Sequence, residues 1–273
     1  MPHIEKNRPV TALFSEESNA RALAPVAVLD SGVGGLCVVR EIRKALPREQ
    51  LLYFGDSANA PYGERSEDEV RELIFARAAR LLEQAKALVL ACNTATALAA
   101  AELRRRYPQT PIVGMEPALK PAVAVREHPR VLVLATPTTL RERKFAALRK
   151  KYEARAEILP VAAPALVRFV EAGETDGPAL RAYLADLLAP YLDPRPDAVV
   201  LGCTHFPFAK EAISRTVGGD IPLFDGAAGT AAELARRLAA AGLLTPSLGR
   251  GSVTLTSSKA GVLPLYVKLL FAP

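Results

Sequence analysis

The chain is poor in cysteine: three, Cys37, Cys92 and Cys203, in 273 residues. They lie too far apart to read as a disulfide framework, and no Cys-x-x-Cys element marks a metal site. That usage fits a reducing, cytoplasmic setting. Long apolar runs are also missing. No stretch of about 18 apolar residues runs uninterrupted, so no membrane-spanning helix is expected. Met1 to Ala24 carries Glu5, Lys6, Arg8, Glu16, Glu17 and Arg21 where a signal peptide needs a continuous apolar core. Residues 1–25 are expected to form a mobile tail. The net charge of +6 is scattered, with Arg104, Arg105 and Arg106 its densest cluster. Such a surface is a weak nucleic-acid signal and suits encounter with anionic metabolites equally well.

Half of the chain is hydrophobic, enough to bury one large core or two lobes. Short aliphatic and β-branched runs alternate with longer amphipathic stretches, the pattern of parallel sheets covered by helices. Strands are predicted at Val26–Asp30, Leu51–Phe54, Ala87–Ala91, Ile112–Val113, Arg130–Leu134, Glu157–Leu159, Ala198–Leu201, Leu223–Phe224 and Val253–Leu255. The clearest helix is Glu67–Gln84, with apolar Val70, Leu73, Ile74, Ala78, Leu81 and Leu82 at three-to-four spacing. Ser66 is its N-cap candidate, and Glu69 occupies the capping-box position.

Two internal echoes organise the rest. Ala87-Leu-Val-Leu-Ala-Cys92-Asn-Thr resembles Ala198-Val-Val-Leu-Gly-Cys203-Thr-His, the cysteines lying 111 positions apart. Val26-Ala-Val-Leu-Asp30-Ser-Gly pairs with Val131-Leu-Val-Leu-Ala135-Thr-Pro at a spacing of 105. Two related α/β lobes are implied, pseudo-symmetric, with mainly parallel sheets and a cleft between them. Each cysteine follows a buried strand at its carboxyl end, where ligands of open α/β sheets bind.

Two such thiols suit an exchange of protons at the two faces of one carbon. One must start as thiolate, whereas a free cysteine of pKa about 8.5 is only a few per cent ionised at neutral pH. Lowering it by about 1.5 units takes roughly 2 kcal/mol, for which backbone N–H groups of the following helix N-terminus are a source. Cys37, in Leu36-Cys37-Val38-Val39, lacks a polar neighbour in sequence and reads as packing. Cys92 is followed by Asn93 and Thr94, Cys203 by Thr204 and His205. His205 is a candidate to assist Cys203 in proton transfer. Zinc held by Cys92, Cys203 and His205 lacks a fourth ligand. Asp30-Ser31-Gly32-Val33-Gly34-Gly35 opens a helix but departs from both the dinucleotide fingerprint and the P-loop. Asp30 is suited to an ammonium group or to orienting a proton-transfer residue, and equally to a helix N-cap. Gly55 to Gly63 is a polar, breaker-rich loop of the binding kind.

Together these segments resemble the glutamate racemase family. The resemblance is carried by Asp30-Ser31-Gly-Val-Gly-Gly, by Gly55-Asp56 with Pro61-Tyr62-Gly63, and by Ala91-Cys92-Asn93-Thr94-Ala95. Val113-Gly114, Pro117, Lys120-Pro121 and Leu201-Gly202-Cys203-Thr204-His205-Phe206-Pro207 complete it. Asn59-Ala60 and Phe224-Asp225-Gly226 depart from the family's commoner Arg-Cys and Asp-Ser-Gly. The resemblance implies Cys92 and Cys203 as proton donor and acceptor, and Asp30, Ser31, Tyr62, Gly63, Asn93, Thr94, Thr136, Thr204 and His205 as substrate contacts. It implies L- and D-glutamate as ligands, no metal or pyridoxal phosphate, and a supply of D-glutamate for peptidoglycan. It further implies a first lobe of 26–118 plus 229–273 and a second of 119–228, with a homodimer as one assembly it allows.

Two other readings stay open on the residues alone. A related aspartate or hydantoin racemase or maleate isomerase shares the paired-cysteine logic. A non-catalytic amino-acid-binding regulatory protein keeps the cleft without the chemistry.

Overall fold

The computed structural model describes residues 19–271. Among them are nine strands: β1 (Val26–Asp30), β2 (Leu51–Gly55), β3 (Ala87–Leu90), β4 (Ile112–Gly114), β5 (Arg130–Ala135), β6 (Glu157–Ala162), β7 (Ala198–Leu201), β8 (Leu223–Asp225) and β9 (Val253–Ser257). They form two sheets, ordered β4-β3-β1-β2-β9 and β6-β5-β7-β8, in which every pairing is parallel. Each lies where an apolar run predicts it. The largest difference is β6, which continues through Pro160 to Ala162. An edge strand tolerates the missing N–H of proline, so the residue that reads as a terminator is not one here.

Strands β1, β3 and β7 are buried along their whole length, as parallel strands covered on both faces must be. Set side by side, the order β4-β3-β1-β2 repeats as β8-β7-β5-β6. The two sequence echoes therefore fall on equivalent strands, β1 with β5 and β3 with β7. One hydrophobic cluster runs through both halves, from Val28 and Leu36 through Met115 to Leu134, Leu201 and Phe206.

The helix Glu67–Leu82 starts as its sequence dictates. Ser66 Oγ accepts from Glu69 N at 3.3 Å, and Glu67, Asp68 and Glu69 fill the first turn. Its buried stripe is Val70, Ile74, Ala78 and Leu81, with Leu73 and Leu82 only partly covered.

Of the tail expected over residues 1–25, residues 1–18 lie outside the described part. Residues 19–23 are helical. Lys86 Nζ donates to Ala22 O at 2.5 Å and pairs with Glu49 Oε2 at 2.5 Å, while Glu49 Oε1 accepts from Thr245 N at 2.8 Å. Both charged side chains are buried, so neither is replaced by water when its partner is lost. Lys86→Met is expected to cost about 3–5 kcal/mol by stranding the Glu49 carboxylate. Glu49→Leu combined with Lys86→Met recovers much of that loss. Urea denaturation of wild type, the two single variants and the double variant checks the non-additivity.

Candidate active site

Cys92 caps the helix Asn93–Arg106: its Sγ accepts from Ala95 N at 3.5 Å, two residues past the end of β3. Cys203 stands at the equivalent point past β7, where Gly202 N donates to Leu134 O at 2.7 Å. Both thiols border one cavity of about 270 Å³. It is lined also by Ser31, Tyr62, Gly63, Asn93, Thr94, Thr136 and His205, together with Pro61, Thr139, Val167 and Gly202. Nine of the eleven residues singled out from sequence thus meet at one place.

The other two, Asp30 and Thr204, lie behind the cavity wall, fully buried. Thr204 Oγ1 donates to Asp30 Oδ2 at 3.1 Å, and Asp30 Oδ1 accepts from Gly32 N at 2.9 Å. The N-cap position of the helix Leu36–Ala45 falls on Gly35, not on Asp30. Asp30 therefore ties the first loop to the segment bearing Cys203. Burial raises its pKa above the ordinary carboxylate value, against the opposing pull of His205 and the amides of Gly32 and Gly35.

The two cysteines differ in their surroundings. The Cys92 thiol is pushed up to about 12, first by burial and then by the Asp30 carboxylate, with the Ala95 amide and Ser31 pulling the other way. The helix-terminal N–H expected to favour thiolate is present, but desolvation outweighs it. Cys203 instead has an imidazole beside it, His205 Nδ1 lying 3.6 Å from its Sγ. His205 Nε2 meets Glu171 Oε1 at 2.6 Å. Burial alone would lower the His205 pKa, yet its hydrogen bonds to Cys203 and Glu171 raise it well above the usual value. Burial likewise works to raise Glu171, and His205, the Val33 amide and Ser57 together bring it below its ordinary value.

Sequence reasoning missed Glu171. It is the last residue of the helix Pro164–Glu171, 138 positions from Val33, whose N–H it accepts at 2.8 Å. A faint signal existed, because a carboxylate at a helix C-terminus opposes the helix dipole and needs another reason to be there. Gly32 makes room for it: a Cβ there would stand 1.7 Å from Glu171 Oε1. Gly34 does the same for His205, whose Nδ1 would be 2.6 Å from an added Cβ.

The far wall is made of hydroxyls. Thr136 caps the helix Pro137–Arg141 and lies 3.2 Å from Thr94 Oγ1 and 3.0 Å from Thr139 Oγ1. Gly63 approaches Thr136 so closely that a Cβ would come within 2.9 Å of it. Tyr62 contributes its ring, since its hydroxyl is engaged by Asp56 Oδ2 at 2.8 Å. Asn93 is buried, and neither side-chain amide atom has a hydrogen-bond partner. A buried amide left unpaired costs free energy, and a polar ligand in the cavity would relieve it. Cys37 is not without a polar partner, as its sequence suggests: its Sγ lies 3.5 Å from Thr204 O. Burial, with Asp225 and Asp30 nearby, raises its pKa well above the usual value, which keeps it a packed thiol. Among the described residues no group of three or more His, Cys, Asp or Glu side chains is arranged to hold a metal ion.

The class is that of a two-lobed α/β protein presenting one thiol from each half to a common cavity. The model of the family described as Asp/Glu/Hydantoin racemase matches residues 36–234. The chain is 51% identical over 222 residues to glutamate racemase of Pseudomonas aeruginosa, covering 81% of this chain and 84% of that one. Among solved structures it resembles glutamate racemase of Francisella tularensis in complex with D-glutamate, at TM-score 0.79 and 26% identity over 92% of this chain and 95% of that one. It also resembles Escherichia coli glutamate racemase in complex with L-glutamate and the activator UDP-MurNAc-Ala, at TM-score 0.75 and 31% identity over 89% and 95%. The chain belongs to the Asp/Glu/hydantoin racemase family and is an isomerase of the racemase class.

The His205–Glu171 pair has a pH signature. His205 is raised above its ordinary value of 6.5, so its contribution to stability is complete below about 6.5 and is lost as pH rises through the raised pKa. Glu171 is lowered from 4.5, so its contribution is complete above about 4.5 and is lost as pH falls through the lowered pKa. Glu171→Gln should therefore be most destabilised relative to wild type between about pH 4.5 and 6.5, with the gap narrowing on both sides. Thermal denaturation across that range tests this; a gap independent of pH contradicts it.

Proposed function

We propose that the chain racemises glutamate without a cofactor, passing protons between the substrate α-carbon, Cys92 and Cys203. The carrying observation is that two thiols just past the ends of equivalent strands, β3 and β7, border one cavity from the two halves of the fold. A substrate held between them turns one face of its α-carbon to each thiol. One cysteine, as thiolate, takes the α-proton and becomes a thiol. The planar carbanion then takes a proton on its other face from the second cysteine, which becomes the thiolate. Charge is conserved across the step, and the two cysteines have exchanged roles.

The different surroundings of the two thiols support different starting states. Cys92, with its pKa near 12, enters as thiol and acid. Cys203 enters as base, with the His205 imidazolium beside it to stabilise the thiolate and Glu171 to hold the imidazolium. The unpaired Asn93 amide and the hydroxyls of Thr94 and Thr136 are set to take carboxylate oxygens, with Ser31, Tyr62 and Gly63 closing the cavity. Asp30 and Thr204 act from behind, keeping the Cys203 segment against the first loop.

Glutamate as substrate is supported by the relatives solved with its D- and L-forms. The same reading assigns the protein to the cytoplasm and its product to peptidoglycan. The lobes are assigned as 26–118 plus 229–273 and 119–228, supported by the division of strands between the sheets. The packing of the helix Ala227–Ala240 on Leu36–Ala45 supports a return to the first lobe near residue 229.

Cys92→Ala and Cys203→Ala are each expected to lower turnover by about 10²–10⁴-fold or more, the range for loss of an acid–base group. Cys37→Ala keeps racemisation at a cost in packing. Chiral analysis with glutamate, aspartate and hydantoins is the measurement, and racemisation of another of these in place of glutamate contradicts the glutamate reading.

In deuterated water, product formed at a few per cent conversion should carry deuterium at the α-carbon while recovered substrate stays protiated. The abstracted proton rests on one thiol, and the other, equilibrated with solvent, supplies the deuteron. Mass analysis of both enantiomers, starting from each, is the measurement. Mainly protiated product would mean a single base swinging between faces.

A further inference from the structure

The hydrogen bonds behind Cys203 do not end at Glu171. Glu171 Oε2 is 3.3 Å from Ser57 Oγ, and Ser57 Oγ is 2.9 Å from the hydroxyl of Tyr266, a buried residue on the C-terminal helix Leu263–Phe271. That hydroxyl also lies 3.2 Å from Ser257 Oγ at the end of β9. The polarity follows from the available protons. A carboxylate only accepts, so Ser57 gives its one proton to Glu171. The one Tyr266 proton then faces two acceptors, Ser57 Oγ at 2.9 Å and Ser257 Oγ at 3.2 Å, because Ser257 gives its own to Gly55 O at 3.0 Å; the shorter contact, to Ser57, takes the larger share. Donors thus line up from the C-terminal helix toward the carboxylate that faces His205.

The space for this line is built into the backbone. A Cβ on Gly55 would stand 2.0 Å from the Tyr266 hydroxyl, as one on Gly32 would clash with Glu171. Tyr266 is braced by Tyr53, edge to face at 5.5 Å between centroids, and Tyr53 in turn donates to Gly32 O at 2.5 Å. None of Ser57, Tyr53 or Tyr266 borders the cavity, so none touches substrate.

We propose that Tyr266 and Ser57 are positioning residues for proton transfer at Cys203, holding the Glu171 carboxylate where it meets His205 and so making the C-terminal helix part of the catalytic apparatus. This rests on the two-cysteine reading above. Among the described residues Glu171 is the hydrogen-bonded link between this line and the imidazole. The other titratable groups that feel its charge are Asp30, Tyr53 and Tyr266, and Cys203 lies beside the imidazole itself; neither Asp30 nor Tyr53 donates a hydrogen bond to the carboxylate. Without the Ser57 proton the carboxylate loses one of three hydrogen bonds that favour its charged form, and His205 holds its own proton less tightly.

The test uses the full-length protein with Tyr266→Phe, Ser57→Ala and Ser57→Thr. It measures kcat and KM for both enantiomers of glutamate, the pH dependence of kcat/KM, and the titration of the His205 imidazole by NMR, assigned through His205→Asn. Ser57→Ala is expected to lower kcat by about tenfold, the scale of one hydrogen bond to a charged group, and Tyr266→Phe, which removes a bond between neutral hydroxyls, by less, with KM moving much less in both. Because enantiomers have equal free energy, kcat/KM must fall equally in both directions. His205 should titrate at lower pH in both variants. Ser57→Thr, which keeps the hydroxyl, should recover most of the rate and the titration.

Unchanged kcat overturns the proposal. So does a lower kcat with His205 titrating as in wild type, or a Ser57→Thr variant as impaired as Ser57→Ala. Should Tyr266→Phe fail to fold, the Ser57 pair still decides. Failure of the catalytic reading is seen separately, as a wild type that does not racemise glutamate or does so without its cysteines, and the His205 titration tests the hydrogen-bonded line even then.

Discussion

A single carboxylate, Glu171, joins what the two halves of this protein must bring together. It leaves a helix that follows β6, enters a space that Gly32 keeps open, and accepts from the Val33 amide in the first loop. Its other contacts are the imidazole of His205 and the hydroxyl of Ser57. In a buried setting a charge survives only when paired and hydrogen-bonded, and here every partner comes from a different segment. The ion pair and the packing of these segments therefore depend on one another.

The consequence for the two thiols is asymmetry within a symmetric frame. Equivalent strands deliver Cys92 and Cys203 to equivalent positions, as two-sided chemistry at a carbon needs. Yet Cys92 faces Asp30 and a helix N-terminus, whereas Cys203 faces an imidazole backed by a carboxylate. Backbone amides alone do not offset the desolvation of Cys92. A fold doubled in its strand order is thus differentiated by a few side chains, chiefly His205 and Glu171 in one half and Asp30 in the other. Asp30 also reaches across to Thr204, so the halves are cross-tied at the level of the thiols.

Glycine makes these approaches possible. Gly32, Gly34, Gly55 and Gly63 each stand where a methyl group would strike Glu171, His205, Tyr266 or Thr136. In sequence they read as turn residues. In the folded chain they are the thin points of the wall, and each one lets a polar group from a distant segment come close.

What the sequence determined by itself is local. Runs such as Val26–Asp30 and Ala198–Leu201 are strands because they are continuous, branched and apolar. Ser66 caps its helix because Glu69 N lies within reach of its side chain, and Cys92 and Cys203 follow strands because the echoing segments do. Of the cavity lining, the two cysteines and His205 stand out from their own segments, whereas Ser31, Tyr62, Gly63, Asn93, Thr94 and Thr136 are read as substrate contacts through the resemblance to the glutamate racemase family. Only the tertiary structure decided which lining residues touch the cavity and which stand behind it, and that Asp30 spends its carboxylate on Gly32 and Thr204. It alone brought Glu171, Ser57 and Tyr266 into one line behind Cys203. Periodicity and capping act over a few residues, whereas these contacts span 34 residues from Glu171 to His205, 114 from Ser57 to Glu171 and 209 from Ser57 to Tyr266. Hydrogen bonds at such separations are set by how the sheets pack, and no short-range pattern encodes that.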